Sequence, residues 1–184
     1  YGTMIRIAVA GANGYGWLNI QKLFGLSDFY KVVGICEPKP MAAEAMDECE
    51  RRQVKVFRDF ARMLDDLEHD CDVIYLATPI PTHKSLATQA LQKGYDVYLE
   101  KPPVATIQDL DALRLIEKTS DGRLAVCFQW SYTELTRRLM DELASGRLGE
   151  VRQVKAIAGW PRPDTYYQRS RWAVKIRFNG EPVL

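Results

Sequence analysis

Between Met4 and Phe128 six short, near-continuous apolar runs alternate with five segments whose apolar residues recur at helical spacing. The runs are MIRIAVA from Met4, KVVGIC from Lys31, VKVF from Val54, DVIYLAT from Asp72, DVYLE from Asp96 and RLAVCF from Arg123. A strand with one wet face alternates polar and apolar residues. A continuous run belongs to a strand buried on both faces, as in a parallel sheet clothed by helices on each side. Repeated strand–helix units with right-handed crossovers give a doubly wound α/β fold. The helical segments carry their own punctuation. The first runs over Tyr15–Leu26 and the second over Met41–Cys49. Asp59 caps a segment whose Phe60, Met63, Leu64 and Leu67 share one face. Pro81 starts a helix that Gly94 stops, and Thr106 caps one reaching about Thr119.

The rhythm changes after Phe128. Glu134–Ser145 has helical spacing and is stopped by Gly146. VRQVKAIAGW, from Val151, alternates polar and apolar residues, and WAVKIRF, from Trp172, is a second candidate strand. That alternation describes a one-sided sheet, often antiparallel. The expected boundary lies near Cys127–Tyr132, with one domain over 4–128 and the beginning of a second α/β domain, with an open and mainly antiparallel sheet, over 129–184.

The 184 residues, 47% hydrophobic and 27% charged with a net charge of +1, describe an ordinary globular chain. They suffice for one domain and part of another. The near-neutral balance gives no reason to expect nucleic acid or a membrane as partner, and no apolar stretch has bilayer length or the form of a secretory leader. Cys36, Cys49, Cys71 and Cys127 form no CxxC pair, and the only histidines are His69 and His83, so no metal site is expected. The cysteines read as free thiols, Cys36, Cys71 and Cys127 being buried, in a reducing, cytoplasmic setting. The three residues ahead of Met4 read as an addition to the natural chain.

GANGYG, Gly11 to Gly16, follows the first run and opens the first helix. In an α/β unit a pyrophosphate rests there on backbone N–H groups at the positive end of a helix. Gly11 permits the sharp turn and Gly16 the close packing of helix on strand. Asn13 replaces the usual middle glycine, with Gly14 beside it; asparagine tolerates left-handed backbone angles, so the turn is expected to survive. The expected phosphate cradle is Gly11, Ala12, Asn13, Gly14, Tyr15 and Gly16, with a plain tight turn as the alternative. About 20 residues beyond Gly16, Glu37 ends the second run. A carboxylate there accepts both ribose hydroxyls of the adenosine half and repels a 2′-phosphate, which favours NAD. Lys39, two residues on, leaves NADP open. The plainer reading of Glu37 is a solvated acid before the turn at Pro38.

Two further segments, in IYLATPIPTHKSLATQALQKGYDVYLEKPPVAT, place Thr78, Pro79 and His83 at one strand end and Glu100, Lys101 and Pro102 at the next. This ordered set resembles the GFO/IDH/MocA family, named for glucose–fructose oxidoreductase, inositol dehydrogenase and a rhizopine-catabolism protein. The resemblance covers Met4 to about Gly159 and includes LASGRLGEVRQVKA. It implies a Rossmann-type domain followed by an α/β domain with a large open sheet, and hydride transfer between NAD(P) and the carbinol of a sugar, cyclitol or related polyol. Lys101 matches the lysine that orients the reacting hydroxyl and the nicotinamide. Ala77, Thr78 and Pro79 match residues lining the cofactor, His83 one near the nicotinamide ribose, and Glu100 one that pairs with the lysine or touches that ribose. The Lys101–Pro102 peptide is expected to be cis. A homo-oligomer is the implied assembly.

Some positions depart from the family pattern. Ile80 stands where many members have asparagine, and Gln129–Trp130 where many have Asn-Arg. Gln129 retains the ability to bond the carboxamide. Members usually continue into a glycine-rich turn and an Asp-x-x-x-His element; RSRWAVKIRFNGEPVL resembles its approach, and no histidine follows His83. The expectation is therefore a fragment of a longer enzyme, inactive by itself. Tyr166, Tyr167 and Trp172, with Arg162 or Arg169, either stack on and bond a sugar or pack beneath a sheet. A non-catalytic dinucleotide sensor of the same fold, or a domain serving imine or enone reduction, remains the alternative.

Overall fold

The computed structural model describes residues 3–168, 172, 175–178 and 180–183. Strands β1 (Ile5–Ala10), β2 (Tyr30–Cys36), β3 (Lys55–Phe57), β4 (Val73–Leu76), β5 (Asp96–Leu99) and β6 (Leu124–Val126) form one sheet in the order β3-β2-β1-β4-β5-β6. Every pairing in it is parallel. All six apolar runs thus became strands, and their C-terminal ends share one edge. The order reverses between β1 and β4, and ligands of open α/β sheets bind at such a crevice.

Side chains of each strand point alternately to two apolar layers. Ile7 and Val9 of β1 pack with Ile20 of α1 (Tyr15–Gly25) and Cys49 of α2 (Ala43–Arg51). Ala8 and Ala10 pack in the opposite layer with Met63 and Leu64 of α3 (Phe60–Asp66), Leu91 of α4 (Ile80–Gln92) and Leu113 of α5 (Ile107–Lys118). Each fully buried leucine contributes about 1.5–3 kcal/mol relative to exposure. Local signals set the helix starts: the Asp59 carboxylate accepts from Arg62 N at 2.8 Å, and the Thr106 hydroxyl from Asp109 N at 3.2 Å. The four cysteines are free, with Cys36, Cys49 and Cys71 buried and Cys127 half-buried.

The chain divides into two compact units. One takes the residues up to Cys127 together with the described residues from Ile176 onward; the other is Phe128–Lys175. Residues from Ile176 on, expected with the second domain, thus group with the first, where Val183 is buried. The second unit holds a 3-10 turn (Gln129–Tyr132), α6 (Glu134–Ala144) and α7 (Asp164–Gln168). Thr133 caps α6 by accepting from Thr136 N at 3.2 Å.

The strand expected at Val151–Trp160 does not form: residues 151–163 have no regular structure and 151–160 are exposed throughout. Alternation prepares a segment for a sheet, but a strand exists only when a neighbour takes its N–H and C=O groups. Of the WAVKIRF segment, two residues form β7 (Arg177–Phe178), which pairs antiparallel with β8 (Glu181–Pro182). Ala173 and Val174 lie outside the described residues. The expected open antiparallel sheet is thus, among the described residues, this two-stranded pair.

Candidate functional site

The loop after β1 is shaped by contacts that leave no room for a side chain. Gly11 donates its N–H to Cys36 O at 2.9 Å and has φ +90°. A Cβ there would lie 2.6 Å from Ala77 O, so the loop presses against the end of β4. A Cβ on Gly16 would lie 2.1 Å from Gly11 O. The left-handed angle falls on Gly14, with φ +60°, and not on Asn13, whose tolerance for it is therefore unused. Asn13 is exposed, with only a 3.5 Å contact from Nδ2 to Pro40 O. Gly14 precedes α1 without a side-chain cap, and the first turn, which starts at Tyr15, has no acidic residue. The N–H groups and positive end of α1 are therefore matched to an anion. The cradle fits a pyrophosphate.

Glu37 is 7% exposed, which rules out the solvated acid. Its Oε2 accepts from Ala12 N at 2.9 Å and its Oε1 from Lys39 N at 3.1 Å. A carboxylate offers about four acceptor positions, so about two remain for ribose hydroxyls. Arg58, just past β3, straps this turn from behind: its Nη1 donates to Glu37 O at 2.9 Å and also to Lys39 O. Nothing in the local sequence pointed to Arg58.

The ends of β4 and β5 form the other wall. Half-buried Ala77 carries the carbonyl against Gly11. The Thr78 hydroxyl accepts from Thr82 Oγ1 at 2.8 Å, and Pro79 leads into α4, whose first residue, Ile80, is buried. His83 is 1% exposed; its Nε2 lies 2.8 Å from Thr78 O and its Nδ1 3.0 Å from Pro102 O. A neutral imidazole donates to one of these carbonyls only. Burial lowers the His83 pKa and outweighs the two carbonyls, which pull it up. A carbonyl thus lies against each nitrogen of His83, one from the end of β4 and one from the Glu-Lys-Pro segment. The Lys101–Pro102 peptide is cis, and Lys101 is exposed.

Beneath Lys101 runs a polar chain the sequence did not reveal. Asn19 Nδ2 donates to Tyr75 Oη at 2.7 Å, and Tyr75 Oη donates to Glu100 Oε1 at 2.6 Å. Glu100 Oε2 accepts from Lys101 N at 3.3 Å. Burial, then the Glu100 carboxylate, push the Tyr75 phenol pKa far up. Glu100, 8% exposed, is thus held by a neutral donor from the neighbouring strand.

The glycine loop, the acid closing β2 and the Glu-Lys-Pro segment closing β5 therefore share one sheet edge. A family model described as an oxidoreductase family with an NAD-binding Rossmann fold matches residues 5–128. The chain belongs to the GFO/IDH/MocA oxidoreductase family. It is 31% identical over 112 residues to the putative oxidoreductase YteT of Bacillus subtilis, covering 59% of this chain and 26% of that protein. It is 31% identical over 150 residues to inositol 2-dehydrogenase of Streptomyces avermitilis, covering 79% and 42%. The WlbA dehydrogenase of Bordetella pertussis, solved in complex with NADH and UDP-GlcNAcA, superposes with a TM-score of 0.76 at 25% identity, covering 92% of this chain and 51% of that one. The chain thus spans about half, or less, of the length of the GFO/IDH/MocA proteins it matches.

The remaining expected site residues belong to the second unit. Gln129 is exposed and opens the 3-10 turn; Trp130 beside it is exposed as well. Arg162 stacks over the Tyr166 ring at 4.3 Å, and Tyr166 meets Tyr167 edge-on at 5.3 Å. Trp172 is half-buried, and Arg169 lies outside the described residues. Among the described residues no cluster of His, Cys, Asp and Glu is arranged to hold a metal, and no helix is long and apolar enough to cross a membrane.

Proposed function

We propose that this chain binds NAD in the crevice between the ends of β1 and β4 and serves hydride transfer to or from the carbinol of a sugar, cyclitol or related polyol. The observation carrying this reading is the bond from Ala12 N to Glu37 Oε2, which makes phosphate cradle and ribose acceptor one unit. Gly11, Gly14 and Gly16 with the first turn of α1 would hold the pyrophosphate, and Glu37 the adenosine ribose. Ala77, Thr78 and Pro79 would line the nicotinamide half. Bound nicotinamide supplies the hydride acceptor or donor. Lys101, an exposed cation beside a buried anion, would orient the reacting hydroxyl and stabilise developing alkoxide charge. The buried Glu37 carboxylate disfavours a 2′-phosphate, and Lys39, two residues on, and Arg58, bonded to the same turn, are the cations at hand to offset that. A cytoplasmic setting, in keeping with free thiols, and a homo-oligomer complete the proposal.

Calorimetric titration with NADH and NADPH, on wild type and Glu37→Ala, tests the reading. Tighter binding of NADH, lost in the variant, is expected; no binding of either cofactor at millimolar concentration by folded protein sinks it. NADH formation from NAD and a polyol panel, absent in Lys101→Ala, would show the transfer itself.

A further inference from the structure

The Asn19–Tyr75–Glu100 chain has a fixed direction. An amide nitrogen only donates, so the Tyr75 oxygen must accept from Asn19, and its single hydrogen must go to Glu100. A phenol donating at 2.6 Å to a carboxylate is a charge-assisted bond, strengthened by the donor behind it. The chain thus fixes the rotation of the carboxylate, with Oε1 on the phenol and Oε2 turned to Lys101 N. It also begins on α1, the helix whose N-terminus forms the phosphate cradle.

We propose that Tyr75 is a positioning residue that holds Glu100 as an oriented acceptor beside Lys101 and, through Asn19, ties that acceptor to the helix of the phosphate cradle. The inference rests on the dinucleotide reading above and adds to it the group that prepares Glu100 for a ribose hydroxyl or for the Lys101 ammonium. The groups facing Glu100 are few. Tyr75 comes from β4, with the Tyr98 ring of β5 packed 5.4 Å from its own. The Cys127 thiol, just past β6, feels the charge of Glu100, as does His83 of α4, and Lys101 follows it in the chain. The thiol is a weak donor, and each ring nitrogen of His83 faces a carbonyl.

Tyr75→Phe keeps the ring and removes the hydroxyl. Without that donor the carboxylate is free to turn, so NADH affinity should fall. The experiment is a fluorescence titration of the 184-residue chain with NADH, with circular dichroism confirming the fold. Tyr75→Phe should bind roughly tenfold more weakly than wild type, the scale of a lost bond to a charged group. Asn19→Ala, one step removed, should weaken binding by a smaller factor. In a Glu100→Ala background, where no carboxylate is left to orient, Tyr75→Phe should add no further loss. Wild-type affinity in Tyr75→Phe, or a loss retained in full in Glu100→Ala, overturns the role of Tyr75 alone. Failure of wild type to bind NADH overturns the dinucleotide reading and this inference with it.

Discussion

The first unit buries some of its leucines fully, and the second, among the described residues, buries none. Leu64, Leu76, Leu91 and Leu99 of the first are fully buried, whereas Leu135, Leu139 and Leu148 of the second are 79%, 51% and 59% exposed. Residue type is shared; what differs is a sheet on which helices can lay their apolar faces. The amphipathic α6 has its cap and its turns, and no buried residue. Local signals therefore suffice for a helix, and only layers produce a core.

The largest test of that contrast is a pair of truncations. Leu91→Ala in the first unit should destabilise the chain by about 2–5 kcal/mol. Ile157→Ala, at a position 100% exposed, should change it by less than about 0.5 kcal/mol. Urea denaturation reads both, and equal losses would erase the distinction. Next comes a pair of glycines. Gly11→Ala places a Cβ 2.6 Å from Ala77 O at a positive φ, whereas a Cβ on Gly159 meets nothing within 4 Å. The first change should lower stability by roughly 1–3 kcal/mol and remove measurable NADH binding; the second should leave both intact. A smaller effect is expected from Arg58→Ala, which frees the Glu37 turn: NADH affinity should fall by roughly three- to tenfold, while Arg162→Ala, in the second unit, leaves it unchanged.

Acid should reveal the faintest difference, again in the first unit. Arg6 hydrogen-bonds to Asp72 and Arg123 to Asp96, and these bonds hold both carboxyls below their usual range. Their contribution is present above about pH 4 and is lost as pH falls through the depressed values. His83, its pKa lowered by burial, acts earlier: the unfolded chain takes up a proton below about pH 6.5 before the folded one does, so stability declines from there. His83→Gln should flatten the stability profile between pH 6.5 and 5 without moving the lower limb.

The legible part of the fold was the part governed by neighbours in sequence. All six apolar runs became strands, and Asp59 and Thr106 cap helices, because burial on both faces and helix capping each leave a local mark. Val151–Trp160 misled because pairing is a property of two segments, and one was visible. In the site, the GANGYG loop and the Glu-Lys-Pro segment announced themselves, but their working partners did not. Ala12 meets Glu37, Tyr75 meets Glu100, and His83 meets Pro102 across gaps of about 20 residues or more that only the sheet order closes. The positive φ of the turn falls on Gly14 and not on Asn13 for a simpler reason: at φ 60° and ψ −117° a Cβ is penalised, and glycine has none.

The bond between Glu37 and Ala12 bears on anyone wishing to retrofit this chain for a 2′-phosphorylated coenzyme. The usual first move exchanges the acid for a small neutral residue and adds a cation nearby. Here that exchange also strips the glycine loop of the acceptor for Ala12 N, so the entrance widens while the floor loosens. A workable redesign would keep an acceptor at position 37, as serine or asparagine, and recruit Lys39 for the new charge. On the reading proposed above, selectivity and scaffold share one carboxylate, and neither can be altered alone.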